Sequence, residues 1–186
     1  ILKFHKKDFK ITVILSLIIV GFQILSFKFI YPNLYSKLNF DFRNIILNLV
    51  LLQVLNCIVE ELFFRGYVFG ISTNIYNNKE RLIISIIIFV MYHIIIFDIT
   101  SIKELLMVIL FTSSAGLCLG YIYMKTDNLL PCILIHMIYN FSQNIISIEF
   151  NTFNIGFQNI YIQFMYPSLI FITVLTVFLI YNKFRT

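Results

Sequence analysis

Charge is what this sequence has least of: 12% of its 186 residues are Asp, Glu, Lys or Arg and 60% are hydrophobic, against about 25% and about 45–50% in ordinary soluble domains. A water-soluble fold of this size cannot hide so much apolar surface, so that class is excluded. Cysteine is scarce as well. Cys57, Cys118 and Cys132 lie inside hydrophobic stretches and form no C-x-x-C, which makes them small core residues rather than a redox couple or a cysteine metal site. Internal repeats, low-complexity linkers and a Gly-x-Ser-Gly motif are missing, and Ser113 and Ser114 read as packing residues of a membrane helix rather than as a nucleophile. The net charge of +5 comes without an aromatic-interleaved basic patch; the basic residues flank hydrophobic segments, so the partner is a lipid bilayer and no nucleic acid is expected.

What is abundant is the long apolar run. Several stretches reach the roughly 18–20 residues that cross about 30 Å of hydrocarbon. The fold class expected is all-α: a polytopic transmembrane helix bundle of about six helices, forming a single transmembrane domain over residues 1–186. The spans are placed near 11–31, 45–71, 82–98, 104–124, 129–148 and 161–181, the third and fifth short or polar enough to require protein neighbours. The run from Ile11 to Tyr31 is longer than a signal-peptide core and lacks a small-residue cleavage site, so it reads as a retained helix. Because the first residue is Ile rather than Met, an upstream part is expected. With six spans, Lys3, Lys6, Lys7, Lys10, Lys79, Arg81, Lys125, Lys183 and Arg185 fall on one side, against Lys37, Arg43 and Lys103 on the other. This asymmetry puts both termini in the cytoplasm. The abundance of Ile, Asn, Lys and Phe suggests an AT-rich genome, hence a bacterial plasma membrane. Gly116 and Gly120 form a small-x-x-x-small pair expected to let another helix approach closely.

Ionisable residues within the hydrocarbon are costly, about 2.5–3.5 kcal/mol each at a helix centre, and so are informative. Among the acidic residues only Glu60 and Glu61 lie deep in a helix; of the histidines, His5 belongs to the basic tail, while His93 and His136 lie deep in the third and fifth helices. At ~1.5 Å per residue, Glu60 lies about 15 Å from Gly70, His93 about 16 Å from Leu82, and His136 and Asn140 about 10 and 16 Å from Leu129. These four can share one layer of the membrane. Glu61 and Arg65 stand four residues apart with the acid first, which suits an intrahelical ion pair; Glu60, turned by about 100°, lacks that partner and is fit for general-base work. His136 and Asn140 project from one face and can both donate to a developing oxyanion. Phe89, one turn before His93, is expected only to pack beside the imidazole.

In Glu60-Glu61-Leu62-Phe63-Phe64-Arg65, Phe89-Val90-Met91-Tyr92-His93 and His136-Met137-Ile138-Tyr139-Asn140 the chain resembles the E-E-x-x-x-R, F-x-x-x-H and H-x-x-x-N/D motifs of the CPBP family. These are the CAAX prenyl protease and bacteriocin-processing proteins, also called type II CAAX proteases or Abi proteins. The likeness covers roughly residues 45–145, the expected catalytic core. It implies an intramembrane endopeptidase acting on membrane-embedded or lipid-modified peptides. Glu60 and His93 would activate water, His136 and Asn140 would hold the oxyanion, and Glu61 and Arg65 would support the site. No metal cofactor is expected, since there is no His-Glu-x-x-His; if zinc is used, Glu60, His93 and His136 are the ligands. Two other readings remain: a non-catalytic bacteriocin-immunity or regulatory protein of the same family, and a proton-coupled transporter with a Glu–His relay. Inverted repeats or paired broken helices would mark the transporter, and the sequence shows neither.

Overall fold

The computed structural model describes residues 6–30, 53–71, 75–152 and 166–183, and these are almost wholly helical. Six helices follow one another: α1 (Lys6–Ile30), α2 (53–71), α3 (Asn78–Ile96), α4 (Ile102–Thr126), α5 (Leu129–Thr152) and α6 (Tyr166–Lys183). All six expected segments are helical where described; residues 45–52 and 161–165 of the second and sixth, together with His5, lie outside the described residues. Three stretches are long and apolar enough to cross a membrane by length and composition, namely Asp8–Ser26, Ile102–Thr126 and Tyr166–Lys183, and α5 contains a shorter apolar segment over Leu129–Gln143. The chain is a multi-pass helical membrane protein.

Local chemistry sets the helix ends. The third helix starts at Asn78, earlier than hydropathy alone suggests, because Asn77 builds a capping box: its side chain accepts from the amides of Lys79 and Glu80 while Glu80 accepts from the amide of Asn77. Ser101 caps α4 by accepting from the amide of Glu104. That helix closes at Asp127, whose left-handed φ of 48° turns the chain directly into α5. So short a connection makes α4 and α5 antiparallel neighbours. Arg81 ties the start of α3 to the end of α2, its Nε donating to the Phe69 carbonyl at 2.8 Å and its guanidinium lying 4.2 Å from the Phe69 ring centre.

The second helix departs from regular geometry. Residues 53–61 are α-helical, Leu62–Val68 form a π turn in which the amide of Phe69 reaches back five residues to the Phe64 carbonyl, and Phe69–Ile71 return to α. Wide turns of this kind sit mostly inside α-helices at functional positions. From α3, Ser85 Oγ donates to the same Phe64 carbonyl at 3.0 Å, fastening the wide turn to its neighbour.

One continuous apolar core joins Leu15 and Ile19 of α1, Phe64 of α2, Phe89 of α3, Leu119 and Ile122 of α4, Ile135 and Tyr139 of α5, and Phe171 and Val174 of α6. The outward faces are equally apolar, with Leu17, Ile95, Leu106 and Leu169 exposed, as a lipid-facing surface requires. Gly116 and Gly120 do let a helix approach: a Cβ on Gly116 would stand 3.4 Å from the Phe89 ring and 3.7 Å from the Ile86 backbone, and one on Gly120 would meet Leu82 Cδ1 at 2.6 Å. Gly116→Leu is therefore expected to force α3 off α4 at a cost of about 1–3 kcal/mol, read as a lower melting temperature in detergent. An unchanged melting temperature would mean that the two helices do not meet there.

Candidate active site

Three helices bring the polar residues together. From α2, Glu60 and Glu61 point to different sides, as adjacent helical residues must. Glu61 is fully buried. One of its oxygens, Oε1, accepts from Arg65 Nη1 at 2.9 Å and stands 2.8 Å from Nδ1 of His136 on α5. The expected Glu61–Arg65 pair is thus present, and His136 joins it.

Arg65 is among the largest fully buried side chains, and its Nε and Nη2 have no hydrogen-bond partner among the described residues. Rings take the place of further acceptors: the guanidinium carbon lies 4.6 Å from the centre of Phe89 and 5.9 Å from that of Phe64. Phe89 therefore does two things. Its ring lies 4.2 Å from the imidazole of His93, the packing expected of it, and its face also receives the buried cation, which the spacing along α3 did not reveal.

Glu60 sits at the meeting point. Its Oε2 lies 4.0 Å from His93 Nε2 and 3.9 Å from His136 Nε2, and this oxygen is buried with no hydrogen-bond partner among the described residues. The histidine tautomers follow from their other nitrogens. His93 Nδ1 is 2.8 Å from the Phe89 carbonyl; a carbonyl only accepts, so Nδ1 carries the hydrogen and the Nε2 lone pair of the neutral ring faces Glu60. His136 Nδ1 likewise donates to the Glu61 carboxylate, which turns its Nε2 toward Glu60. Glu60, His93 and His136, placed in one layer by counting residues, are brought together across three helices.

Asn140 is partly buried one turn beyond His136, and its Nδ2 donates to Cys57 Sγ on α2 at 3.3 Å. Two residues that sequence reasoning passed over therefore touch the site. Cys57 is buried as expected, yet it also anchors Asn140; Asn56, whose signal was an Asn-x-x-x-Glu spacing on one helix face, donates from Nδ2 to Glu60 Oε1 at 2.7 Å. Ser114 donates to the Phe111 carbonyl of its own helix at 2.7 Å, a local contact with no bearing on catalysis.

The arrangement can abstract a proton at Glu60 Oε2 and offer donors nearby, all within a bundle of apolar helices. It defines a multi-pass membrane protein equipped for acid–base chemistry. The sequence profile of the type II CAAX prenyl endopeptidase Rce1-like family matches residues 42–142, more than half of the chain, and the chain belongs to that family. It is a CAAX-type intramembrane protease, and the matched span holds every residue of the site, from Asn56 to Asn140. Neither the curated proteins nor the solved structures compared with it gave a significant match.

Proposed function

We propose that the chain hydrolyses a peptide bond of a membrane-embedded or lipid-modified peptide, using Glu60 and His93 to activate water, His136 and Asn140 to hold the oxyanion, and no metal. The observation that carries this reading is the buried, unpartnered Glu60 Oε2 facing two imidazole Nε2 atoms. A water about 2.8 Å from both Glu60 Oε2 and His93 Nε2 fits on their 4.0 Å separation with an angle of about 90° at its oxygen, giving one proton to each acceptor. Glu60 takes one proton as the water oxygen bonds to the carbonyl carbon. The carbonyl oxygen, now negative, meets the second amide hydrogen of Asn140 and, in the doubly protonated form of His136, its Nε2–H. In that form two carboxylates, Glu60 and Glu61, are balanced by two cations, Arg65 and His136. The C–N bond then breaks as Glu60 returns its proton to the leaving nitrogen.

Zinc fits this set poorly. Two ligands on a tetrahedral zinc with bonds of about 2.0–2.2 Å stand roughly 3.3–3.6 Å apart. The carboxylate–imidazole separations here are 3.9 and 4.0 Å, and among the described residues no group of three or more His, Cys, Asp and Glu could hold a metal ion. The proposed setting is a bacterial plasma membrane with both termini in the cytoplasm, supported by the distribution of Lys and Arg about the spans.

The test uses the full chain in liposomes with a farnesylated peptide ending in a CAAX sequence, half the samples containing a strong zinc chelator. Cleavage at equal rates in both halves is the expected result. Loss of cleavage with chelator would replace the glutamate mechanism by a zinc one, and no cleavage in either half would remove prenylated CAAX ends as the substrate class.

A further inference from the structure

We propose that Asn56 is a positioning residue for the general base, pinning the carboxylate of Glu60 so that Oε2 alone faces the imidazoles and the water. This inference rests on the role proposed above for Glu60. A glutamate carboxyl turns readily about its last torsion, because that sp³–sp² bond has broad, roughly two-fold wells. Left to itself, Glu60 would therefore present either oxygen in a range of orientations.

Its neighbours do not restrain it equally. The Glu61 carboxylate is held by Arg65 and by His136. The two imidazoles stand 3.9 and 4.0 Å from Glu60 Oε2, beyond hydrogen-bond reach, so they leave that oxygen free to act but do not fix it. The hydrogen bond from Asn56 Nδ2 to Oε1, at 2.7 Å, supplies the restraint. It is short, and donation to a charged acceptor makes such a bond roughly twice as strong as a neutral one.

The placement of Asn56 argues the same way. The surface around it is apolar, with Leu55 and Val59 exposed at 59% and 62%, and Asn56 itself is exposed among them. A carboxamide in the lipid-facing part of a helix is unfavourable on insertion, so a residue of this kind there calls for a compensating role. From the rim of the site it reaches inward to the base one turn away. Its sequence neighbour completes the picture: Cys57 receives the Asn140 amide, so one turn of α2 holds both the base and an oxyanion donor.

A plain helix-stabilising pair at i, i+4 would give the same distance, so the test must separate positioning from stability. Asn56→Ala, Asn56→Asp and Asn56→Gln are compared with wild type and Glu60→Gln in liposomes, on the farnesylated CAAX-ended peptide. Asn56→Ala is expected to lower kcat about tenfold to hundredfold with KM within about twofold. Asn56→Asp, equal in size but without the N–H, is expected to lose at least as much, and Asn56→Gln, which keeps the amide donor on a longer arm, to recover part of the loss. Wild-type kcat in both the Ala and Asp variants, a loss seen only in KM, or an Asp variant matching wild type would overturn the inference. Should Glu60→Gln cleave as fast as wild type, the proposed function falls and this inference with it. Unaffected Asn56 variants beside an inactive Glu60→Gln would remove this inference alone.

Discussion

Glu60→Gln is expected to lower cleavage by about 10²–10⁴-fold, the range that a positioned general base contributes, while leaving the protein folded and inserted. Glutamine has the shape of glutamate and its carbonyl oxygen can still accept the 2.7 Å hydrogen bond from Asn56, so the rim of the site stays in place. What is lost is the capacity of the atom at Oε2 to take a proton from water. Because that atom is buried and has no partner among the described residues, replacing a charge by a neutral amide removes a desolvation cost rather than a contact. The variant should accordingly melt at or above the wild-type temperature. Cleavage assays on the liposome-reconstituted protein, with thermal unfolding of the same samples, check both halves; a variant that keeps full turnover would rule out Glu60 as the base.

The second large effect is on stability. Arg65→Met is expected to destabilise the protein by about 3–5 kcal/mol, because it leaves the fully buried Glu61 carboxylate without its cation. The size of the loss comes from the stranded charge and not from the bond alone, so Glu61→Gln combined with Arg65→Met should recover much of it. A double-mutant cycle read by denaturant or thermal unfolding in detergent measures that recovery. Arg65→Lys should recover less than charge alone suggests, because an ammonium cannot reproduce a flat guanidinium beside the Phe89 and Phe64 rings. Equal and additive losses in the single and double variants would show that the two residues do not act as a pair.

The parts of this site that were legible in the sequence are those governed by local rules. A rise of about 1.5 Å per residue puts Glu60, His93 and His136 at comparable depth, and an i, i+4 spacing with the acid first pairs Glu61 with Arg65. The cost of ionisable groups in hydrocarbon made those few residues stand out from an apolar background. What stayed hidden depends on how separate helices meet. That His136 serves both glutamates, one through each ring nitrogen, is a long-range fact. So is the seating of Asn140 on Cys57, a residue that composition marks only as a small hydrophobe. The cation on the face of Phe89 required knowing that α2 and α3 approach there. The start of α3 was readable in principle, since Asn77 and Glu80 carry the spacing of a capping box, but hydropathy alone placed it later because the first turn is polar.

The wide turn over Leu62–Val68 makes chain length at this point as binding as residue identity. Excising any one residue from it would let the backbone settle into an ordinary α-helix. Everything beyond would then be rotated by about 100° and drawn back by about 1.5 Å relative to Glu60 and Glu61. Phe69 would swing away from Arg81, and the Phe64 carbonyl from Ser85, so the carboxylates would lose their registration against the imidazole of α3. The second helix thus works as a calibrated spacer, in which a substitution tunes the chemistry but a single-residue deletion uncouples one half of the site from the other.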